Sequence, residues 1–173
     1  MAGLNRMDRR NFLSSLLARL GAPLAGLLPF LPASKALAAA KATDPAWQLT
    51  PAEWKKRLSP AAYAVLRDEG TERPFSSPLN KEKRSGTYVC AACRLPLFAS
   101  TTKFDSGTGW PSFWQPLSKA VVTKTDFKLI LPRTEYHCRR CGGHQGHVFD
   151  DGPKPTGKRY CNNGVALAFV PGG

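Results

Sequence analysis

Positions 20–34 carry no charged residue, a run of 15. A membrane span takes roughly 20 apolar residues, and Pro23, Pro29 and Pro32 break this run where a helix would have to continue. Beyond it the apolar positions fall into short groups. Trp54, Leu58, Tyr63, Val65 and Leu66 are spaced for two short helices. Thr50-Pro51-Ala52-Glu53 starts the first, with Thr50 as N-cap, proline at the first helical position and glutamate three residues after the cap. Ser59-Pro60 restarts the second. Neither helix is long enough to stand alone, so both are expected to pack on a sheet. After Gly70 the chain turns to loop residues and β-rich groups, with strands predicted at 87–89, 120–123, 127–131 and 165–170. The 15 glycines and 15 prolines in 173 residues favour a loop-rich, β-leaning fold over a helical bundle.

Met7-Asp8-Arg9-Arg10-Asn11-Phe12-Leu13 places paired arginines ahead of the uncharged run, and Ala38-Ala39-Ala40 ends it as an A-x-A cleavage site. Residues 1–40 therefore resemble a twin-arginine signal peptide, with 41–49 as a linker and 50–173 as the domain. The alternative is a proline-kinked anchor that is never cleaved. Cleavage would leave no stable membrane anchor and an exported, periplasmic protein. The net charge of +13 falls to +9 on the remaining 133 residues. That charge suits nucleic acid or a membrane surface but does not decide between them and a basic exported protein.

Five cysteines cannot all be paired or grouped in fours. Cys90-Ala-Ala-Cys93 and Cys138-Arg-Arg-Cys141 are two C-x-x-C turns, each able to aim two thiolates at one ion, and together they complete the tetrahedron of a structural Zn²⁺. Two disulfides are the alternative in an oxidising compartment. A redox C-x-x-C lacks βαβ surroundings. The fifth cysteine, Cys161, follows Arg159 and Lys158, whose charges favour a thiolate. His144 and His147 offer imidazoles suited to proton donation. Trp110 and Trp114, on a glycine- and proline-shaped loop with Phe113, can wall a small apolar pocket. Each also has a bland reading as a buried thiol, extra metal ligands or plain core. Taken together they suit chemistry on a small, soft, weakly polar group.

The stretch 54–171 closely resembles the B-type methionine sulfoxide reductases. The resemblance rests on Gly86-Thr-Tyr-Val-Cys90-Ala-Ala-Cys93, on Lys103-Phe-Asp-Ser-Gly-Thr-Gly-Trp-Pro-Ser-Phe113, on Cys141-Gly-Gly-His144-Gln-Gly-His147-Val-Phe-Asp-Asp151-Gly-Pro153 and on Arg159-Tyr-Cys161-Asn-Asn163. It implies a mainly β fold of two antiparallel sheets, a β-tent with zinc knuckles and short N-terminal helices. It also implies a thiol-dependent reductase of methionine (R)-S-oxide in proteins or peptides. By this resemblance Cys161 is the nucleophile and becomes a sulfenic acid. His144 and His147 would bind or protonate the sulfoxide oxygen. Trp110 and Phe113 would hold the substrate, and Arg159, Asn163 and Asp151 would order the site. Cys90, Cys93, Cys138 and Cys141 would hold zinc.

The chain departs from the family pattern at Thr108, where many members carry a resolving cysteine, and at Arg94, Gln145 and Gly164, where glycine, leucine and serine are usual. Without a spare thiol, an external thiol or thioredoxin-like reductant must recycle Cys161. The rival readings are a zinc-ribbon nucleic-acid binder and a non-catalytic zinc scaffold for a protein partner. Scattered lysines and arginines, an export signal and an idle Cys161 weigh against nucleic acid as a partner.

Overall fold

A computed structural model describes residues 44–129 and 131–172. The chain divides into two units, Met1–Lys35 and Ala36–Gly173, and every described residue lies in the second. The expected signal peptide lies outside the described residues.

The helix signals act as read. Helix α1 spans Pro51–Arg57, with Thr50 and Glu53 closing a reciprocal capping box. Helix α2 spans Pro60–Leu66, capped by the Ser59 side chain. Each is only seven residues long. Burial of Trp54, Val65 and Leu66 against the rest of the domain holds them in place. The described part of the expected linker is not free chain. Pro45–Trp47 forms a 3-10 turn, Asp44 N–H donates to the Arg140 carbonyl at 2.9 Å, and Trp47 stacks on Trp54.

Nine strands among the described residues form two antiparallel sheets, as the resemblance implies. They are β1 Gly86–Cys90, β2 Pro96–Ala99, β3 Lys103–Phe104, β4 Ser112–Phe113, β5 Val121–Asp126, β6 Arg133–Cys138, β7 His144–Phe149, β8 Arg159–Asn162 and β9 Leu167–Pro171. The small sheet runs β2-β1-β9 and the large one β3-β4-β8-β7-β6-β5. Tyr88, Phe98, Phe113 and Tyr136 form the aromatic centre of the core, with Phe98 and Phe113 stacked 4.2 Å apart.

One predicted strand is absent among the described residues. The described residues 127–129 and 131 lie in the connection between β5 and β6, and Phe127 and Leu131 are 74% and 75% exposed. Their apolar run reads as a strand in sequence, but the β5–β6 ladder ends at the Asp126–Arg133 pair before it, and its described apolar side chains are exposed.

Register explains how the large sheet builds a site. Residues directly opposite on adjacent strands share a face. Lys124 on β5, Glu135 on β6, His147 on β7, Cys161 on β8 and Ser112 on β4 stand in one cross-strand row. Strand β7 carries an irregularity. Tyr136 faces Gly146 and His137 faces His144, which leaves Gln145 as the extra residue of a β-bulge. In a regular strand, residues three apart point to opposite faces. The bulge brings His144 and His147 to the same face, opposite His137 and Glu135, with ring centroids 5.5 Å apart.

Candidate active site and metal cluster

Cys161 is half-buried beside a cavity of about 130 Å³. Thr71, Trp110, Arg133, His147, Phe149 and Asn163 are among the residues that line it. This volume is small beside the roughly 300–1,000 Å³ of a typical ligand pocket and suits the tip of one side chain. Burial pushes the Cys161 thiol up from its ordinary pKa. Arg159 and the Thr108 hydroxyl pull it down but do not prevail, and Asp151 adds to the rise. The sequence expectation that neighbouring cations favour a thiolate is therefore right about Arg159 and outweighed by burial. Lys158 instead pairs with Asp150.

Arg159 lies two residues before Cys161 on β8 and so shares its face. Asp151 holds it bidentately at 2.8 and 2.9 Å, and its guanidinium sits 4.4 Å over the Phe149 ring. Asn163 leaves the end of β8 with its Nδ2 donating to the Gln145 carbonyl and its Oδ1 accepting from Glu72 N–H. Trp110 Nε1 donates to the Glu72 carbonyl at 3.1 Å, which fixes the indole at the cavity wall. The Glu72 carboxylate also accepts from the N–H groups of Gly164 and Val165. One residue thus ties Trp110, Asn163 and the turn after β8 together. Nothing in the sequence pattern around Glu72 marks this role.

The two histidines differ. His147 lines the cavity, and its Nε2–H donates to Asp126 at 2.8 Å. Burial lowers its pKa, against the raising effect of Asp126. Burial would raise Asp126, but hydrogen bonds from Lys128 N–H, His147 and Arg133 hold it well below the carboxylate range. His144 is fully buried behind this layer; its Nδ1–H donates to Glu135 at 2.5 Å and its Nε2 has no protein partner. Glu135 also lies 2.9 Å from His137 Nε2 and 3.0 Å from Lys124 Nζ. Those partners outweigh its burial and hold its carboxyl well below the usual range. The sequence reading missed Arg133, Glu135, His137 and Asp126. The alternation Arg133-x-Glu135-x-His137 is the signal that could have found the first three, because period two puts them on one face of a strand.

Phe113, expected to hold the substrate, is not among the residues that line the cavity. It is 0% exposed and packs on Phe98 and Tyr88 in the core. Its neighbour Ser112 stands opposite Cys161, so the pleat turns Phe113 to the other face. Trp114 does not line the cavity either.

The four remaining cysteines meet where the small sheet, through Cys90, approaches the β6–β7 turn. Their Sγ atoms lie within 4.8 Å of one another, all buried. Cys90 and Cys141 are 3.7 Å apart, and Cys93 and Cys138 are 3.5 Å apart. A disulfide needs about 2.05 Å, and all five cysteines are free. A tetrahedron with ~2.3 Å Zn–S bonds has edges of about 3.8 Å, so the donor set and its spacing fit a metal ion. Arg94 and Gly142 occupy matching places just after the two turns, with φ of 61° and 66°. Glycine enters that conformation at no cost and arginine does not, which gives the departure at Arg94 a local strain.

Residues 58–171 match the SelR domain model. The chain belongs to the SelR family of B-type methionine sulfoxide reductases. It is 58% identical over 118 residues to the peptide methionine sulfoxide reductase MsrB of Methanosarcina barkeri, covering 68% of this chain and 83% of that protein. It is 49% identical over 130 residues to the MsrB of Agrobacterium fabrum, covering 75% and 96%. With the chloroplastic peptide methionine sulfoxide reductase B1 of Arabidopsis thaliana it shares 56% identity over 116 residues, which is 66% of this chain but 57% of the plant protein.

Proposed function

We propose that this SelR-family protein reduces methionine (R)-S-oxide in proteins or peptides, with Cys161 as the nucleophile. One observation carries the reading: Cys161, Trp110 and His147 converge on a single cavity sized for a side chain. The half-buried indole, held through its N–H, offers the substrate methyl group an apolar wall. Arg133 and His147 also line the cavity; the Arg133 guanidinium supplies a donor for the sulfoxide oxygen, while His147, its Nε2–H held by Asp126, supplies a proton there only when its ring is protonated. Cys161 sulfur attacks the sulfoxide sulfur, and the oxygen passes to Cys161. Methionine sulfur gains two electrons and Cys161 sulfur loses two, giving a sulfenic acid.

Thr108 reaches the Cys161 thiol where a second thiol would be needed, and the other four cysteines are buried together. Recycling is therefore assigned to an external thiol, which displaces water from the sulfenic acid to form a mixed disulfide that a second thiol resolves. A small dithiol serves this better than a thioredoxin-like protein, which must reach into the cavity. In this reading Cys90, Cys93, Cys138 and Cys141 hold one structural Zn²⁺, which stiffens the fold and takes no part in the chemistry. The pattern at Arg9-Arg10 supports export through the twin-arginine route to the periplasm.

Turnover of separated R and S sulfoxides with a dithiol tests the reading. Reduction of the R epimer alone, abolished in Cys161→Ser, is expected; comparable rates on both epimers would overturn it. Sulfoxide without reductant should add one oxygen to Cys161 with zinc retained. An internal disulfide with zinc release would refute the recycling scheme. Substituting lysine at both Arg9 and Arg10 should block export, and unchanged periplasmic levels would refute the route.

A further inference from the structure

Gln145 is the residue the β7 bulge inserts, and it is completely buried. A buried amide carries two N–H donors and one oxygen acceptor that must find partners. Here Nε2 donates to Cys90 Sγ at 3.5 Å, and Oε1 accepts from Asn162 Nδ2 at 3.5 Å. The same Asn162 amide donates to Tyr136 Oη at 2.8 Å. The Gln145 backbone carbonyl accepts twice from Asn163, through N at 2.9 Å and Nδ2 at 3.0 Å. One residue therefore touches the cysteine cluster on one side and both residues that follow Cys161 on the other.

We propose that Gln145 is a positioning residue that couples the metal cluster to the catalytic strand. Four thiolates around a dication leave excess negative charge on sulfur, and an N–H aimed at one of them in a dry site stabilises that charge. The acceptor end of the same amide restrains Asn162, and through it the backbone carrying Cys161. Tightening at Cys90 is thereby felt at β8. A side chain of similar size without a donor would fill the space and cut both links.

The inference rests on reading the cluster as a metal site, and its test separates the two. Parent and Gln145→Met proteins are loaded with zinc, and the rate of metal loss to a strong chelator is followed. The variant is expected to bind zinc about ten- to a hundredfold more weakly, the range for loss of a hydrogen bond to a ligand, and to release it correspondingly faster. In the cobalt-substituted proteins the sulfur-to-cobalt charge-transfer band should shift between parent and variant, which a purely space-filling role would not cause. Stripping the metal should change the rate of Cys161 alkylation in the parent and leave it nearly unchanged in the variant.

Should Gln145→Met fail to fold, the parent decides alone. Loaded with spin-active cadmium, its Gln145 side-chain amide proton should show a scalar coupling to the metal through Cys90 Sγ. A parent that binds no metal overturns both the cluster reading and this proposal. A metal-binding parent with equal release rates and an unshifted band in the variant, or with no cadmium coupling, overturns this proposal alone.

Discussion

The Cys161 thiol stands between two opposing charges, and their geometry gives a signed prediction. Arg159 favours the thiolate while Asp151, clamped to Arg159, disfavours it, and burial leaves the net pKa above the ordinary value. The rate of Cys161 alkylation should rise with pH to a midpoint above that of a free cysteine. Asp151→Asn should move the midpoint down, because it removes a negative charge and leaves the guanidinium. Arg159→Leu should move it up. Shifts of the same sign in both variants would refute the arrangement. Much of this site is legible at the residue scale, since C-x-x-C spacing and the Arg159-x-Cys161 pair express local geometry. Phe113 is misread because its motif supplies alternate residues to opposite faces, and the motif does not say which face is the core. Glu72 is invisible because its partners lie 38 to 93 residues away in sequence.

At the scale of elements, the histidine pair depends on the β7 bulge, and the bulge depends on Gly146. A Cβ built on Gly146 would stand 1.9 Å from the Cys161 carbonyl oxygen. Backbone cannot yield as a flexible side chain does, so strand β8 would have to move. Gly146→Ala is expected to cost more than about 3 kcal/mol of unfolding free energy, in the range of severe core lesions, and to remove activity; denaturant titration and a turnover assay check it. Deleting Gln145 should do separate harm. It leaves His144 and His147 two residues apart and still on one face, but removes the carbonyl and amide that hold Asn163 and Asn162 beside Cys161, so turnover should fall even where the domain folds. Sequence alone shows the helices well, because capping boxes and prolines are local signals. It shows the strands poorly, because β3, β4 and β8 are too short to display a period and β7 breaks its own.

For the whole molecule, the buried acids set the response to pH. Asp126 and Glu135 are held below the carboxylate range, so their contribution is complete above the unfolded value of about 4 and is lost as pH falls toward their folded values. His147, held below the imidazole value, acts in the same direction: its contribution is complete above about pH 6.5 and lost below it. Thermal midpoints should therefore fall steadily from neutral to acid, and Asp126→Asn should flatten that slope. A midpoint that rises on acidification would refute this account. The pairing of β1 with β9 has a different kind of consequence. It joins Gly86 to Pro171, and the cysteine cluster joins 90 and 93 to 138 and 141. Contacts so distant along the chain are formed late, after long loops have closed. A nascent chain therefore cannot complete the small sheet until β9 has left the ribosome. Until then it is an open chain with five reduced thiols and no cavity to guard them. A chain ending before β9 should emerge from the ribosome unable to complete the small sheet, sensitive to protease and inactive. Adding Leu167–Pro171 back as a separate peptide is the experiment that would show whether β9 is the latch.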